Sequence, residues 1–476
     1  MNVVWFRRDL RVEDNTALIE ACQSGEPVVG VYIATPKTWE IHSLSPIQAD
    51  LIHRRLFALQ DDLQKLSIPL YYAEVDSYKD CVDLIADVMT SSSASGLFFN
   101  KQYEFDEVQR DSAIVQRLKE SNIDCSALED KCFLPPGSVL NKQGGYFKVF
   151  TPFKRAYLQQ MEVKPLNVIK VKKQPSTLPI LDNTRLRLFS QDSPFSYPRV
   201  PSNNYQVKTT EVIQALREFE EKKVKLYAEN RDYPAVDATS ILSPYLAIGV
   251  LSIRQCMARV MYQQPLPLSG GREVWQSELI WREFYQHLAY FEPKLSKGES
   301  FNSWGEHLRW KNSQVFLEAW KSGETGYPIV DAAMKQLNET GWMHNRLRMV
   351  VASFLIKDLH IDWRVGEQYF MSKLVDGDYS ANNGGWQWCS STGCDGQPYF
   401  RIFNPITQGE RFDPDGRFII RWLPQLAEVP KKFLHQPWKW PRASQLKYPA
   451  PIVDHKVQRG ITLDLYKQAK EYSQDA

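Results

Sequence analysis

Asp376-Gly377-Asp378-Tyr379-Ser380-Ala381-Asn382-Asn383-Gly384-Gly385-Trp386-Gln387-Trp388 is poor material for an ordinary packed helix. Asp and Asn compete for the backbone with their own side chains, and each Gly surrenders chain entropy on entering a helix. Read as mainly helical, the stretch places Asp378, Asn382 and Trp386 at i, i+4 and i+8 on one face. An acid, an amide and an indole on one face suit a pocket for a large flat polar ligand, with Gly384 and Gly385 allowing close approach. The bland alternative is a capped helix start that runs into a glycine-rich turn, with both Trp as core filler.

Outward from this stretch, the chain has room for a sizeable core. Its 476 residues are enough for two or three domains, and 43% hydrophobic with 24% charged residues is the composition of a soluble protein. The most apolar stretches, such as Met349 to Leu355, are far too short to span a bilayer, so no transmembrane helix or membrane partner is expected. The amino terminus meets charges within a few residues and has no signal-peptide pattern, which predicts a cytoplasmic protein. Seven Cys without a CxxC pair and eight His without HExxH spacing predict reduced thiols and no metal, with Cys389 and Cys394 as bystanders. A net charge of +2 leaves nucleic-acid binding to local patches. Of the 14 Trp, only Trp5 and Trp39 precede Trp275, which marks the second half as a separate aromatic-rich domain.

Three regions are predicted. Residues 1–130 alternate short apolar runs (Val3 to Phe6, Val28 to Ile33, Pro69 to Ala73, Leu97 to Asn100) with amphipathic stretches around Ile52 to Leu66 and Asp106 to Leu118. That is the pattern of an α/β domain with a doubly wound parallel sheet, here without a GxGxxG fingerprint. Residues 131–206 are rich in Pro, Ser and Lys and read as an interdomain connector carrying a short helix from Thr151 to Met161, with a run from Lys172 to Pro201 that lacks periodicity. Residues 207–476 follow a period of 3.6, clearest in Val212 to Phe219, Val274 to Tyr290, Val330 to Leu337 and Leu347 to Leu359, and form an all-α domain.

Several constellations in the helical half carry two readings each. Thr239-Ser240-Ile241-Leu242-Ser243 precedes a helical run and reads as an N-cap or as a phosphate cradle. Trp275, Glu278, Trp281 and Arg282 share one side of a helix, either as core indoles beside an exposed ion pair or as a face that stacks a nucleobase. Asn345 and Met349 stand at i, i+4 near a helix start. Arg346, Arg401 and Gln408 would suit phosphate contacts beside a pocket.

The Asp376–Trp388 signature resembles the flavin-binding segment of the photolyase and cryptochrome superfamily. Val4-Trp5-Phe6-Arg7-Arg8-Asp9-Leu10-Arg11 with Asp14-Asn15 resembles the family's first strand and loop, and Trp275 to Tyr285 its substrate helix. The resemblance covers nearly the whole chain and is to class I cyclobutane pyrimidine dimer photolyases: Asn345 and Met349 match these, whereas six-four photolyases carry two His there. It implies FAD bound by Tyr227, Thr239, Ser240, Ile241, Leu242, Ser243, Trp275, Glu278, Arg282, Trp342, Asn345, Arg348, Asp376, Gly377, Asp378 and Asn382, with Asn382 facing the redox nitrogen. It implies a DNA surface of Arg231, Glu278, Trp281, Arg282, Asn345, Arg346, Met349, Trp388, Arg401 and Gln408, which seats a flipped-out dimer. The contexts of Trp310, Trp363 and Trp386 resemble the family's electron-transfer triad, with Trp386 proximal to the flavin and Trp310 at the surface. A 5,10-methenyltetrahydrofolate antenna is implied by Asp106, Glu107 and Lys297, although relatives often carry Asn at the first position; an 8-hydroxy-deazaflavin is the rival antenna. The expected protein is a monomeric bacterial DNA-repair enzyme that meets its damaged DNA at the nucleoid. A cryptochrome that signals without repair is the alternative.

Overall fold

The computed structural model describes residues 1–92, 94–174, 180–181 and 183–475, so part of the aperiodic run from Lys172 to Pro201 lies outside the described residues. The chain forms two compact units. The first comprises Met1–Lys225, Ser240–Ser296 and Val375–Asp378; the second comprises Leu226–Thr239, Lys297–Leu374 and Tyr379–Ala476. The expected division into 1–130, 131–206 and 207–476 follows the order of secondary structure, whereas compactness follows packing. Packing places the helices Ser243–Ala247, Ile253–Met261 and Gly270–Phe291 in the same unit as the sheet.

The sheet of the first unit runs β5-β4-β1-β2-β3-β6, with β1 (Asn2–Phe6), β2 (Val28–Ala34), β3 (Leu70–Glu74), β4 (Gly96–Asn100) and β5 (Asp124–Leu128) parallel. β1 and β2 are buried along their whole length, which is why they read as unbroken apolar runs. The strand order reverses between β4 and β1, so right-handed crossovers send helices to opposite faces: a doubly wound sheet. β6 (Arg187–Leu188) comes from the connector and pairs antiparallel with β3, setting Tyr71 opposite Leu188.

The start of the connector is held by a buried carboxylate. Glu283, on the Gly270–Phe291 helix, accepts hydrogen bonds from the Phe133 and Leu134 amides and from the Tyr157 hydroxyl of the Phe150–Val163 helix. Cys132, Glu283 and His287 place ligand-type atoms within 4.8 Å of one another, a cluster that the spacing of Cys and His in the sequence did not suggest. Its hydrogen bonds are those of a structural clasp, with a His287 ring nitrogen 2.8 Å from the Leu134 carbonyl oxygen.

A second clasp joins the loop after β1 to the Ile253–Met261 helix. Asp130 lies 2.5 Å from Arg11 and 2.6 Å from Arg254, and Arg254 reaches Asp14 at 2.8 Å. Burial raises the Asp130 carboxyl, yet the two guanidinium groups outweigh it and hold the group well below the ordinary carboxylate range.

The second unit is helical. Pro328–Thr340, Asn345–Lys357, Trp363–Met371 and Tyr379–Ser390 contribute to one apolar core that includes Trp320, Trp363 and Trp386. Among the described residues no helix is long and apolar enough to cross a membrane.

Replacing Asp130 by Ala leaves Arg11 without its carboxylate and Arg254 with Asp14 alone, and should cost about 3–5 kcal/mol, read as a lower urea midpoint. The Asp130 contribution is present at neutral pH and is lost as pH falls below about 4, because the folded-state pKa lies below the unfolded one. Acid unfolding of D130N should therefore show a shallower dependence on pH than that of the parent chain.

Candidate functional site

In the first unit the site is built around Val375–Asp378. Gln48 donates through its amide nitrogen to the Val375 and Gly377 carbonyls, both at 3.0 Å, and Arg8 donates to the Gly377 carbonyl at 3.0 Å. Ser243 donates to Asp376 at 2.6 Å. Gln286 donates to both oxygens of Asp378 at 2.9 and 3.2 Å, and Lys131 lies 3.8 Å from the same carboxylate. Asp378 thus precedes the Tyr379–Ser390 helix, so the expected face of Asp378, Asn382 and Trp386 is not a single helical face. Asp378 is bonded to Gln286 of the first unit and stands just outside the helix.

The hydroxyl segment does not act as an N-cap. The Ser243–Ala247 helix has Leu242 at its cap position with no side-chain cap bond, and Leu242 is buried. Ile241 adopts φ +48°, the left-handed region that a β-branched residue avoids. Such strain concentrates where a backbone is shaped for a ligand. Ser240 and Thr239 are half-buried beside it.

Along the Gly270–Phe291 helix, Trp275 is buried against Phe219 at 4.9 Å, while Glu278, Trp281 and Arg282 are half-buried. Phe150 covers one face of the Trp281 indole at 3.6 Å and an interplanar angle of 8°, so any base stacked there has only the remaining surface. Arg282 is fixed on the Lys131 and Leu246 carbonyls. Gln286 was missed in the sequence, although it extends the Glu278, Arg282 spacing by a further four residues.

The acidic pair at the start of the Phe105–Glu120 helix is not merely solvated surface. His42 lies 2.9 Å from Asp106, and Tyr78 donates to buried Glu107 at 2.8 Å. Burial, and then the Glu107 charge, push the Tyr78 hydroxyl well above its ordinary value. Lys297 ends the Pro293–Lys297 turn and belongs to the second unit. No local spacing flags His42 or Tyr78.

In the second unit, the paired Asn residues diverge onto one acid. Asn382 donates through Nδ2 to the Glu367 carbonyl at 3.0 Å, and Asn383 donates to the Glu367 carboxyl at 2.8 Å. Gln387 continues the second row, donating to Asn383 at 3.0 Å and accepting from the Phe301 amide at 2.8 Å. Burial raises the Glu367 carboxyl to about 7. Because the Glu367 carbonyl takes the Asn382 NH2 group, the amide orientation is fixed and Oδ1 is the acceptor presented elsewhere. A Cβ added at Gly385 would meet no atom within 4 Å, so protein packing does not explain that glycine. Gly385 is exposed, so that open space lies at the surface, one turn from the oriented Asn382 amide.

Trp363 is wholly buried, Trp386 is 2% exposed and Trp310 is a half-buried residue packed on the same core. Phe370 meets Trp386 edge-on at 5.0 Å, and Gly366 lies directly beneath the Trp386 ring, so only a glycine fits there. Buried Trp320, not anticipated, has its ring 6.2 Å from that of Trp386.

The remaining expected residues divide by accessibility. Asn345 is exposed at the first position of its helix; Met349 and Trp388 are half-buried against the core. Arg346 pairs with Asp232 at 2.9 Å and lies over Phe412, so a phosphate must compete with that acid. Arg348 donates to the Met343 carbonyl at 2.8 Å beside half-buried Trp342, and Arg231 lies over the Tyr227 ring at 5.9 Å. Arg401 is exposed, and its carbonyl accepts from buried Lys357, whose ammonium burial lowers to about 8. Gln408 Oε1 is buried without a partner among the described residues.

The chain is similar to known proteins along nearly its whole length. Residues 2–173 match the family model described as DNA photolyase, and residues 275–468 match that of the FAD binding domain of DNA photolyase. The chain is 54% identical to the deoxyribodipyrimidine photo-lyase of Vibrio cholerae, covering 99% of this chain and 100% of that one. Its fold matches a bacterial class III photolyase from Agrobacterium tumefaciens with a TM-score of 0.85 at 33% identity, covering 99% and 98% of the two chains. It also matches a cryptochrome of Synechocystis with a TM-score of 0.85 at 26% identity, covering 98% and 99%.

The two glycines separate packing from ligand approach. In G366A the new methyl would lie 2.2 Å from the Trp386 ring and should cost about 1–3 kcal/mol in thermal unfolding. In G385A the stability of the flavin-free chain should stay level or rise by up to about 1 kcal/mol. Its flavin affinity should nevertheless fall, measured by fluorescence titration.

Proposed function

From the chain's membership of the DNA photolyase family, which its whole-length likeness to the photo-lyase relatives establishes, we propose how its residues divide the work of light-driven repair. The activity is that of a deoxyribodipyrimidine photo-lyase, an FAD-dependent enzyme that uses light to repair pyrimidine dimers in DNA. The observation that carries this reading is that the likeness spans both the amino-terminal region and the flavin-binding region without a gap in coverage.

Within that activity we assign the chain to class I cyclobutane dimer photolyases, because Asn345 and Met349 are the residue types that the resemblance to cyclobutane dimer photolyases implies where six-four photolyases carry two His. The chemistry FAD supplies when bound is a light-excited electron lent to the dimer. The chain's own residues hold, orient and shield. Val375–Asp378, the Thr239–Ser243 segment, Tyr227, Trp275, Arg282, Trp342, Asn345 and Arg348 bind the cofactor, and Asn382 presents Oδ1 as an acceptor in a fixed direction. Glu278 hydrogen bonds the dimer, Trp281 and Trp388 pack on it, and Met349 completes the wall. Arg231, Arg346, Arg401 and Gln408 hold flanking DNA, with affinity that falls as salt rises.

Trp310, Trp363 and Trp386 conduct an electron inward, and half-buried Trp310 is the member of the three that solvent can reach. A folate antenna is favoured by the ordered, partly buried acid pair Asp106 and Glu107. The enzyme acts as a monomer at the nucleoid and uses no metal.

Purified protein with reduced flavin should remove thymine dimers from irradiated DNA under blue light and not in the dark; equal loss in both, or none, defeats the assignment. W386F should abolish photoreduction of oxidised flavin yet retain repair when the flavin is reduced chemically. E278A should lower repair yield while the protein stays yellow.

A further inference from the structure

Within the first unit, the Phe150–Val163 helix of the connector meets the Gly270–Phe291 helix along a seam of rings. Phe153 packs on Phe284 at 5.2 Å and on His287 at 5.1 Å, and Tyr157 donates to Glu283 at 2.6 Å. Phe153, Tyr157 and Phe284 are almost wholly buried, so the middle of the seam is core. Its end is different. There Phe150 lies on Trp281, and Trp281 is only half-buried. The two rings are 8° from parallel with centroids 3.6 Å apart. Phe284 meets the same indole edge-on at 5.6 Å and Phe150 edge-on at 5.9 Å, and Tyr285 lies 5.7 Å from the indole at 29°.

The torsion that turns an indole about its Cβ–Cγ bond has a broad preference, so a partly accessible indole takes its angle from whatever lies against it. A flat ring fixes that plane, whereas an aliphatic side chain of similar bulk fills the space and leaves the plane free to tilt. We propose that Phe150 is a positioning residue for repair: it fixes the plane of the Trp281 indole, on whose remaining surface the dimer packs. The proposal rests on the reading of Trp281 as a dimer-packing residue. The connector then does more than join two regions, because the bond from Tyr157 to Glu283 sets the helix that delivers Phe150. An indole already held in place loses little freedom when DNA arrives, so Phe150 acts on affinity for the dimer and leaves the light-driven step alone.

The test is binding of the full-length, flavin-loaded protein in the dark to a duplex carrying one thymine dimer and to the same duplex without it. Repair rate at saturating dimer under blue light is the second readout. F150A should weaken binding of the dimer duplex by about fivefold. Binding of the undamaged duplex, flavin content and the saturated repair rate should stay within about twofold of the parent. F150L keeps most of the apolar bulk without the flat face and should lose dimer affinity as F150A does, which also keeps the test open if F150A does not fold. In a W281A background neither change should alter dimer binding by more than about twofold.

No loss in F150A and F150L, or a loss shared by the undamaged duplex or repeated in full without Trp281, overturns the proposal. Tighter binding would also overturn it, since Phe150 would then be occupying the place of a base. W281A leaving dimer binding unchanged would instead remove the reading on which the proposal rests.

Discussion

The site depends on the hydrogen bonds that hold Val375–Asp378 inside the first compact unit while the helix that follows it belongs to the second. Gln48 and Arg8 secure the backbone, and Ser243, Gln286 and Lys131 secure the two carboxylates. A segment with two acids and a glycine has little helical preference to lose, so this anchorage conflicts with no strong local propensity. The signature is consequently two devices joined end to end. One is an acidic loop fixed by side chains of the sheet-bearing unit; the other is a helix whose Asn pair is fixed by Glu367.

Buried charge is handled differently in each place. Asp130 and Glu104 are held ionised by guanidinium or ammonium neighbours, which makes them parts of clasps. Glu283 receives hydrogen bonds from two amides and a hydroxyl, and burial still raises its carboxyl. Glu367, with an amide as its partner and no cation among its hydrogen-bond donors within the described residues, is raised by burial to about 7. Desolvation and the available counter-charge decide each outcome; the residue type alone does not.

Indoles show the same dependence on setting. Trp5, Trp320 and Trp363 are almost wholly buried, and Trp320 spends its N–H on the Val351 carbonyl. Trp281 differs, since it lies half-buried on Phe150, with part of its surface accessible. Gly366 lets the Trp386 ring sit against the Trp363–Met371 helix, so the position of that indole is set by a missing side chain on its neighbour.

Apolar runs at strand spacing and the 3.6-residue period were enough to place β1 to β4 and the main helices, because both patterns are written in neighbouring residues. β5 and β6 escaped, since Asp124–Leu128 and Arg187–Leu188 are edge strands without a buried apolar face to mark them. The residue types at the site were also legible, because the Asp376–Trp388 stretch violates helix propensity and so advertises another purpose. What the sequence left undecided was the partners. Gln48 meets Val375 across a separation of 327 positions, Lys131 joins Glu104 to Asp378, and His42 and Tyr78 find the acid pair. Such bonds depend on where folding brings distant side chains and on how little water remains there, and neither quantity has a period or a spacing along the chain.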